Sequence, residues 1–170
     1  MKKASGHIIL ALMTVTLLCQ CEKEKQAESA ISGVLVKHSE CKSSLKSAEI
    51  IADTLSCIQY VFDAENRQLT VKHVNAGFNC CPGELSCSFS IISDTIVITE
   101  SEQSGLCNCL CLFDMDMEIS GVNARKYQVK VIEPYAEDKE RLVFEANLTQ
   151  EPQGSFCVTR KNYPWGVSTW

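Results

Sequence analysis

The sequence is poor in histidine and has no excess of basic residues, and each shortage disfavours a class of function. It contains 16 lysines and arginines against 21 acids, which gives a net charge of −5. Because these charges are interspersed and no basic cluster occurs, a nucleic-acid partner is disfavoured. Only 3 histidines are present. Serine and cysteine nucleophiles need a positioned base, so we predict no enzyme and nominate no catalytic residue.

A single long apolar run occurs, near the amino terminus, and it is too short to span a bilayer. It extends from Ile8 to Leu18 behind the positive start Met1-Lys2-Lys3, a combination typical of a secretory signal. The run leads into Leu18-Cys19-Gln20-Cys21, which resembles the lipobox of bacterial lipoproteins, with an aliphatic residue three positions before the acceptor cysteine. The resemblance implies that residues 1–20 are a signal peptide and that Cys21 carries the lipid.

Two alternatives to this anchor stay open. Cys19 is a rival acceptor, and a plain signal cleaved near Ala27 or Ala30 would remove Cys21. The charged stretch directly after Cys21 resembles the surface-export signal of Bacteroidetes lipoproteins. Residues 21–32 are predicted to be a flexible tether. We therefore expect an outer-membrane lipoprotein of the cell envelope, held to the membrane by its acyl anchor and facing either the periplasm or the surface.

Cysteine, in contrast, is abundant, with 11 residues in the chain. Nine remain when Cys19 and Cys21 are assigned to the signal and the lipid, and an oxidising compartment makes disulfides their default state. Because nine is odd, at most four bridges form and one thiol is left over. We expect three bridges between two sets that clamp adjacent parts of the fold, and Cys41, Cys57 and Cys157 stay unassigned. The two sets are Cys80, Cys81 and Cys87, and Cys107, Cys109 and Cys111.

Metal binding is the alternative use of these sulfurs. Thiolates are soft ligands for zinc, copper(I) or iron–sulfur clusters. Structural zinc sites take ligands about two to four residues apart on tight knuckles, whereas alternating cysteines on a straight strand spread their sulfurs too far for one ion. Disulfides are therefore favoured, and no cofactor is expected. The alternative metal site comprises His73, Cys80, Cys81, Cys107, Cys109 and Cys111.

Hydrophobic alternation predicts an all-β domain. From Cys57 to Val158 apolar side chains recur at every second position, in about eight short strands separated by turns. The stretch Cys107–Ile119 is predicted as one long strand that points its three thiols and then a series of apolar side chains at the interior. The pattern is typical of an antiparallel β-sandwich, placed at residues 33–161 with an irregular tail at 162–170. A short helix is predicted over Ser43–Leu55.

Two motifs carry resemblances to known proteins. Glu118-Ile-Ser-Gly-Val122 followed by Tyr127-Gln-Val-Lys-Val131 resembles a late hairpin of immunoglobulin-like and transthyretin-like β-sandwiches. Asn79-Cys80-Cys81-Pro82 with Cys107-Asn-Cys-Leu-Cys111 resembles cysteine-rich Bacteroidetes-type lipoproteins, and this resemblance implies no particular activity. We therefore expect a disulfide-stapled, lipid-anchored envelope module that binds a protein or glycan or has a structural role. A metal-binding or redox protein that uses the two cysteine sets is the alternative.

His73 shares the parity of Leu69 and Val71, which predicts an interior position. A buried neutral histidine is the simpler interpretation, and a metal ligand or a pH-responsive group is the sharper one. Acidic side chains alternate with the apolar ones in the cysteine-bearing strand, and we expect them on a solvated outer face, with calcium binding as the alternative. These acids are Asp114, Asp116 and Glu118.

Overall fold

The computed structural model describes residues 31–42, 51–103, 105, 107–136 and 141–161. These residues form an all-β structure with nine strands and no helix, so the predicted all-β, two-sheet class is confirmed. None of them forms a helix long and apolar enough to cross a membrane. The predicted signal peptide, Cys21, most of the tether and the tail at 162–170 lie outside the described residues. The strands are β1 (Ser32–His38), β2 (Leu55–Asp63), β3 (Gln68–Asn79), β4 (Leu85–Ile92), β5 (Thr95–Glu102), β6 (Leu110–Ser120), β7 (Lys126–Ile132), β8 (Val143–Asn147) and β9 (Gln153–Thr159).

The strands form two sheets, one of five strands in the order β1-β6-β3-β2-β9 and one of four in the order β4-β5-β7-β8. All neighbours are antiparallel except β5 and β7, which run parallel, so the expectation of a wholly antiparallel fold was wrong at this pair. The reason is topological. Strands β4 and β5 form one hairpin and β7 and β8 another, and the chain visits the five-stranded sheet as β6 between them. Strand β7 therefore runs in the same direction as β5, the last strand of the smaller sheet before the chain crossed to β6.

The core lies between the sheets and follows the alternation predicted for β6. Met115, Met117 and Ile119 are each 0% exposed and point at the smaller sheet, where Ile98 and Tyr127 are buried on the facing strands. Complete burial of such a side chain contributes about 1.5–3 kcal/mol relative to leaving it in water. The same parity that was visible in the sequence therefore supplies the packing of the sandwich.

A bulge in β3 fixes what this strand presents to the core. The register between β3 and β6 shifts between His73 and Ala76, and Asn75 within the bulge has a positive φ of 64°. The extra residue resets the side-chain parity, so His73 is buried on the inner face and Phe78 is buried there as well. Without this shift, one of the two side chains would point away from the core.

Two contacts close the lateral edges of the sandwich. At the edge formed by β1 and β4, the ring of Phe89 lies directly against the backbone of Gly33, where a Cβ atom would collide with it. At the opposite edge, the ring of Phe144 stacks between those of Tyr60 and Phe156, with centroid distances of 5.9 and 5.0 Å. Aromatic pairs of this kind add about 0.5–1.5 kcal/mol beyond their burial.

Four disulfides are present among the described residues, and they join Cys41 to Cys111, Cys57 to Cys157, Cys80 to Cys109 and Cys81 to Cys107. The first two link segments that already lie side by side in the five-stranded sheet. The other two follow the end of β3 and precede the start of β6, and so close the neck of the β4–β5 hairpin. None of the four crosses the core, and the expectation that the bridges hold two layers together was wrong.

Two further expectations about the cysteines need correction. Cys87 does not bridge to the second set and carries a free thiol, while Cys111 pairs with Cys41 instead. Cys107 and Cys109 precede β6, which begins at Leu110, so the three alternating thiols do not share one strand. The predicted helix also fails within the described residues, because residues 51–54 form bends and turns and β2 begins at Leu55.

The side chain of Asn79 holds together the two irregular segments that form the neck. Its side-chain Oδ1 accepts the backbone N–H groups of Cys81 and Cys107, at 2.8 and 3.2 Å. Its Nδ2 donates to the carbonyl of Cys107 at 2.6 Å. One asparagine therefore satisfies both irregular segments, and it positions the two cysteines that form the disulfide beside it.

Candidate functional site

Polar side chains replace apolar ones at one end of the core. We call this group the polar layer. Ser56 and His73 are 0% exposed, the side chains of Glu133 and Arg160 are 2% and 0% exposed, and Glu100 is 3% exposed. Buried charges are costly unless they are paired, so this layer is the least typical part of the sandwich and the strongest candidate for a site.

Each member of the polar layer continues the inward parity of its own strand. Ser56 precedes Ile58 on β2, and Glu100 follows Ile98 on β5. Glu133 and Arg160 occupy the next inward positions after β7 and β9 end. The five-stranded sheet thus provides Ser56, His73 and Arg160, and the four-stranded sheet provides both carboxylates. The layer spans the gap between the sheets.

Hydrogen bonds connect the five side chains. His73 Nδ1 lies 2.7 Å from Glu100 Oε1, and His73 Nε2 lies 2.8 Å from the Ser56 hydroxyl. Arg160 Nη2 donates to Ser56 Oγ at 3.1 Å and to Glu133 Oε2 at 2.5 Å. The imidazole is therefore held at both nitrogens, between a carboxylate of one sheet and a hydroxyl of the other.

Electrostatics favour a proton within the polar layer. Burial by itself lowers the pKa of His73, but the attraction and hydrogen bond of Glu100, together with the charge of Glu133, outweigh it and raise this pKa. Burial also raises the pKa of Glu133, and the neighbouring Glu100 adds to the rise, against the opposing effects of His73 and Arg160. Both groups thus hold a proton more tightly than they would in water.

Two carboxylate oxygens of the layer have no hydrogen-bond partner within the described residues. These are Glu100 Oε2 and Glu133 Oε1, and both are buried. The second lies 3.8 Å from His73 Nε2. A buried acceptor without a donor costs about 1–3 kcal/mol. The two unsatisfied oxygens therefore favour one more hydrogen-bond donor or positive charge than the fixed groups of the layer supply.

The connection Ser56–His73–Glu100 has the hydrogen-bond order of a serine nucleophile, its base and an orienting acid. The order alone does not make a working site. The Ser56 hydroxyl is 0% exposed, and the guanidinium of Arg160 already donates to it. A substrate has no access to this oxygen in the described fold.

The distances within the polar layer would also suit a divalent cation, since ligand atoms of His73, Glu100 and Glu133 lie within 4.8 Å of one another. Arg160 already supplies a positive charge to Glu133, however, and both imidazole nitrogens are hydrogen-bonded. A further double charge would overcompensate the two carboxylates. These three residues are therefore better explained by protons than by an ion.

The cysteine-based metal site is not assembled. All five of its sulfurs are in disulfides, which leaves no thiolate in that set for an ion, and His73 lies in the polar layer instead. The free Cys87 pairs in register with Glu100. Burial, with the charge of Glu100 in addition, raises the pKa of the Cys87 thiol to about 12. A thiol that stays protonated is a poor nucleophile and a poor redox centre.

The acidic face of β6 also differs from expectation at one position. Asp114 is 9% exposed and so does not lie on a solvated face. Its Oδ1 binds Lys42 Nζ at 2.6 Å and accepts the backbone N–H of Asn75 at 3.1 Å. A lysine thus neutralises the carboxylate for which calcium was the alternative, and the contact fastens the chain after β1 to the bulge of β3.

Sequence reasoning identified His73 as an interior residue but missed the four residues around it. The available signal was a polar residue at the inward parity of a strand end, which marks Ser56, Glu100, Glu133 and Arg160. Comparison of the chain with protein-family models, curated proteins and solved structures finds no significant match. The function is therefore argued from the geometry alone.

Proposed function

We propose that the chain is a lipid-anchored module of the cell envelope that binds or supports other envelope components and has no catalytic activity. The carrying observation is that the only described serine–histidine–acid connection is sealed in the core, while four disulfides stiffen the five-stranded sheet and the neck of the β4–β5 hairpin. Disulfides of this number indicate an oxidising compartment outside the cytoplasm. A rigid surface loses little conformational freedom on binding, which favours a recognition role.

The lipid anchor is tested by metabolic labelling with an alkyne fatty acid. We expect label on the wild type, its loss in Cys21→Ala, and its retention in the matched control Cys19→Ala. Label that survives in Cys21→Ala and disappears in Cys19→Ala would move the anchor to the rival cysteine. The absence of label in the wild type would exclude a lipoprotein and favour a plain secretory signal.

The absence of catalysis by a serine nucleophile is tested with a fluorophosphonate probe, which labels serines activated by a histidine base. Because Ser56 is sealed and bonded to Arg160, we expect no label on the folded protein. Label that is present in the wild type and absent in Ser56→Ala would overturn the proposal and identify a hydrolase. Ser155→Ala, on the exposed face of β9, is the matched control for non-specific labelling.

The binding role predicts a polar partner such as a glycan or a protein. The exposed large apolar residues are dispersed over four strands, and among the described residues they do not mark one strongly apolar face. Photo-crosslinking on intact cells, followed by mass spectrometry, and a glycan array would identify the partner. If the protein captures no partner in cells and binds no glycan on the array, only the structural role of this module remains. The dispersed residues are Val34, Val36, Val61, Ile92 and Ile132.

A further inference from the structure

We propose that the polar layer holds one proton shared between His73 and Glu133, and that loss of this proton at rising pH weakens the junction between the two sheets. The inference concerns the interior of the domain and does not depend on the proposed function. It starts from the fixed charges of the layer. Arg160 is positive, while Glu100 and Glu133 are carboxylates. With a neutral imidazole the layer carries one net negative charge, and one added proton cancels it.

Two atoms compete for this proton. His73 Nε2 and Glu133 Oε1 are 3.8 Å apart, and the carboxylate oxygen has no hydrogen-bond partner among the described residues. A proton on either atom neutralises the layer. Sites so close titrate together, and the resulting pKa values belong to the pair. The raised pKa of each group, argued above from burial and neighbouring charge, agrees with this competition.

The groups that face His73 come from all the surrounding strands. Within the five-stranded sheet, Met115 is its apolar register partner on β6. Cys87 of β4 lies across from Glu100 and stays protonated. The titratable and charged partners are therefore few, and the described neighbourhood contains one fixed cation against two carboxylates. The remaining neighbours are Ser56, Glu100, Glu133 and Arg160.

Loss of the proton weakens the junction between the sheets because the charged residues of the polar layer are divided between the two sheets. Both carboxylates belong to the four-stranded sheet, whereas His73 and Arg160 belong to the five-stranded one. None of the four disulfides described above joins the two sheets. An uncompensated buried charge is strongly unfavourable, and separating the sheets admits water to it. Deprotonation therefore favours loosening of this end of the sandwich.

The direction of the pH effect follows from the raised pKa values. The folded protein binds more protons than the unfolded one, so stability falls as pH rises. The contribution of His73 is complete below its ordinary pKa of 6.5 and is lost as pH rises through the raised folded value. That of Glu133 begins to fall above its ordinary 4.5. The domain should be most stable under mildly acidic conditions.

The first test is an NMR titration of the imidazole resonances in the oxidised full-length protein. We expect His73 to titrate above its ordinary pKa, and we expect this pKa to fall in Glu133→Gln, where Arg160 and Glu100 balance without an added proton. His38, on the exposed strand β1, provides a comparison in the same spectrum. If His73 of the wild type titrates below its ordinary pKa, the proposal is overturned. This outcome is measured on the wild type alone, so it does not depend on whether a variant folds.

The second test is urea unfolding across the same pH range. Each unit by which the folded pKa exceeds the unfolded one should lower the ratio of folded to unfolded protein about tenfold on passing to alkaline pH. Glu133→Gln should flatten this dependence, and the matched control Glu145→Gln, an exposed residue paired with Lys126, should keep it. An unchanged dependence in Glu133→Gln, or one abolished by a chelator, would refute the shared proton.

Local loosening is measured through the free thiol. At one mildly alkaline pH, we expect iodoacetamide to alkylate Cys87 several-fold more slowly in Glu133→Gln than in the wild type and in Glu145→Gln. Comparison at a single pH removes the intrinsic effect of pH on the thiol. Equal rates in the three proteins would show that the layer does not control the contact between the sheets.

Discussion

The two sheets of this sandwich differ in how each of them is stabilised. The five-stranded sheet and the adjoining neck of the β4–β5 hairpin contain all four disulfides of the described residues, whereas strand β4 of the four-stranded sheet contains the free thiol Cys87. The smaller sheet is attached by apolar packing, by the polar layer and by the stapled neck of its β4–β5 hairpin. The disulfides thus reinforce the five-stranded sheet and the neck, whereas the polar layer lies between the two sheets.

Geometry explains this division. A disulfide joins Cα atoms about 4.4–6.8 Å apart, a range that suits neighbours in one sheet, while facing sheets are about 10 Å apart. The four bridges have Cα separations between 4.1 and 5.7 Å. Long side chains such as those of glutamate and arginine span the wider gap between the sheets. Charged side chains can therefore connect the two sheets across a gap that is too wide for a disulfide.

The largest loss of stability is expected from removing the bridge with the longest loop. In Cys57→Ala/Cys157→Ala, which opens a separation of 100 residues, the free energy of unfolding should fall by roughly 4–5 kcal/mol, because the unfolded chain regains freedom. Cys81→Ala/Cys107→Ala, with a separation of 26 residues, should lose roughly 3–4 kcal/mol. Urea unfolding at fixed pH measures both. A larger loss for the shorter loop would contradict the role assigned to the unfolded chain.

The junction between the sheets should be most sensitive at its fixed cation. Arg160→Met leaves Glu133 buried without its partner, and we expect a loss of about 3–4 kcal/mol in unfolding free energy. The exposed pair of Lys126 and Glu145 provides the control, since Lys126→Met should cost under about 1 kcal/mol. Adding Glu133→Gln to Arg160→Met should recover part of the loss. Absence of recovery would show that Arg160 acts by packing and not by charge.

The fold was predictable because strand parity is a local property of the sequence. The β6 pattern from Phe113 to Ile119 indicated the buried face, and the structure confirms it. The parallel pair β5–β7 was not predictable, because a hairpin pattern does not reveal which strands of separate hairpins become neighbours. Strand β1 was also missed, since Val34 and Val36 at an exposed edge do not give a clear buried face.

The candidate site was less predictable than the fold. His73 stood out because it continued an apolar parity, but Glu100 and Glu133 lie 27 and 60 residues away from it in sequence. Their approach depends on which strands face each other across the core. The pairing of Cys57 with Cys157 was not predictable for the same reason, since it requires that β2 and β9 be neighbours. Long-range pairing is the information that parity lacks.

The lateral edge between the two sheets gives a smaller test of packing. In Gly33→Ala the new methyl group would meet the ring of Phe89, and overpacking should cost about 1–3 kcal/mol of unfolding free energy. Ser32→Ala, at the neighbouring exposed position, is the control and should be close to neutral. Gly33→Ala combined with Phe89→Leu should regain stability if the ring is the obstacle. A neutral Gly33→Ala would mean that the two sheets are not in contact at this edge.

The smallest effect is expected at the free thiol, where the comparison of the sheets is sharpest. Cys87→Ala should lower the unfolding free energy by under about 1 kcal/mol, because the half-buried side chain loses one sulfur and breaks no bridge. A thiol count under denaturing, non-reducing conditions should give one thiol among residues 22–170 in the wild type and none in the variant. A wild type with several thiols would mean that the five-stranded sheet lacks its covalent reinforcement. The larger losses predicted for its cysteine pairs would then disappear as well, because no bridge would remain to be removed.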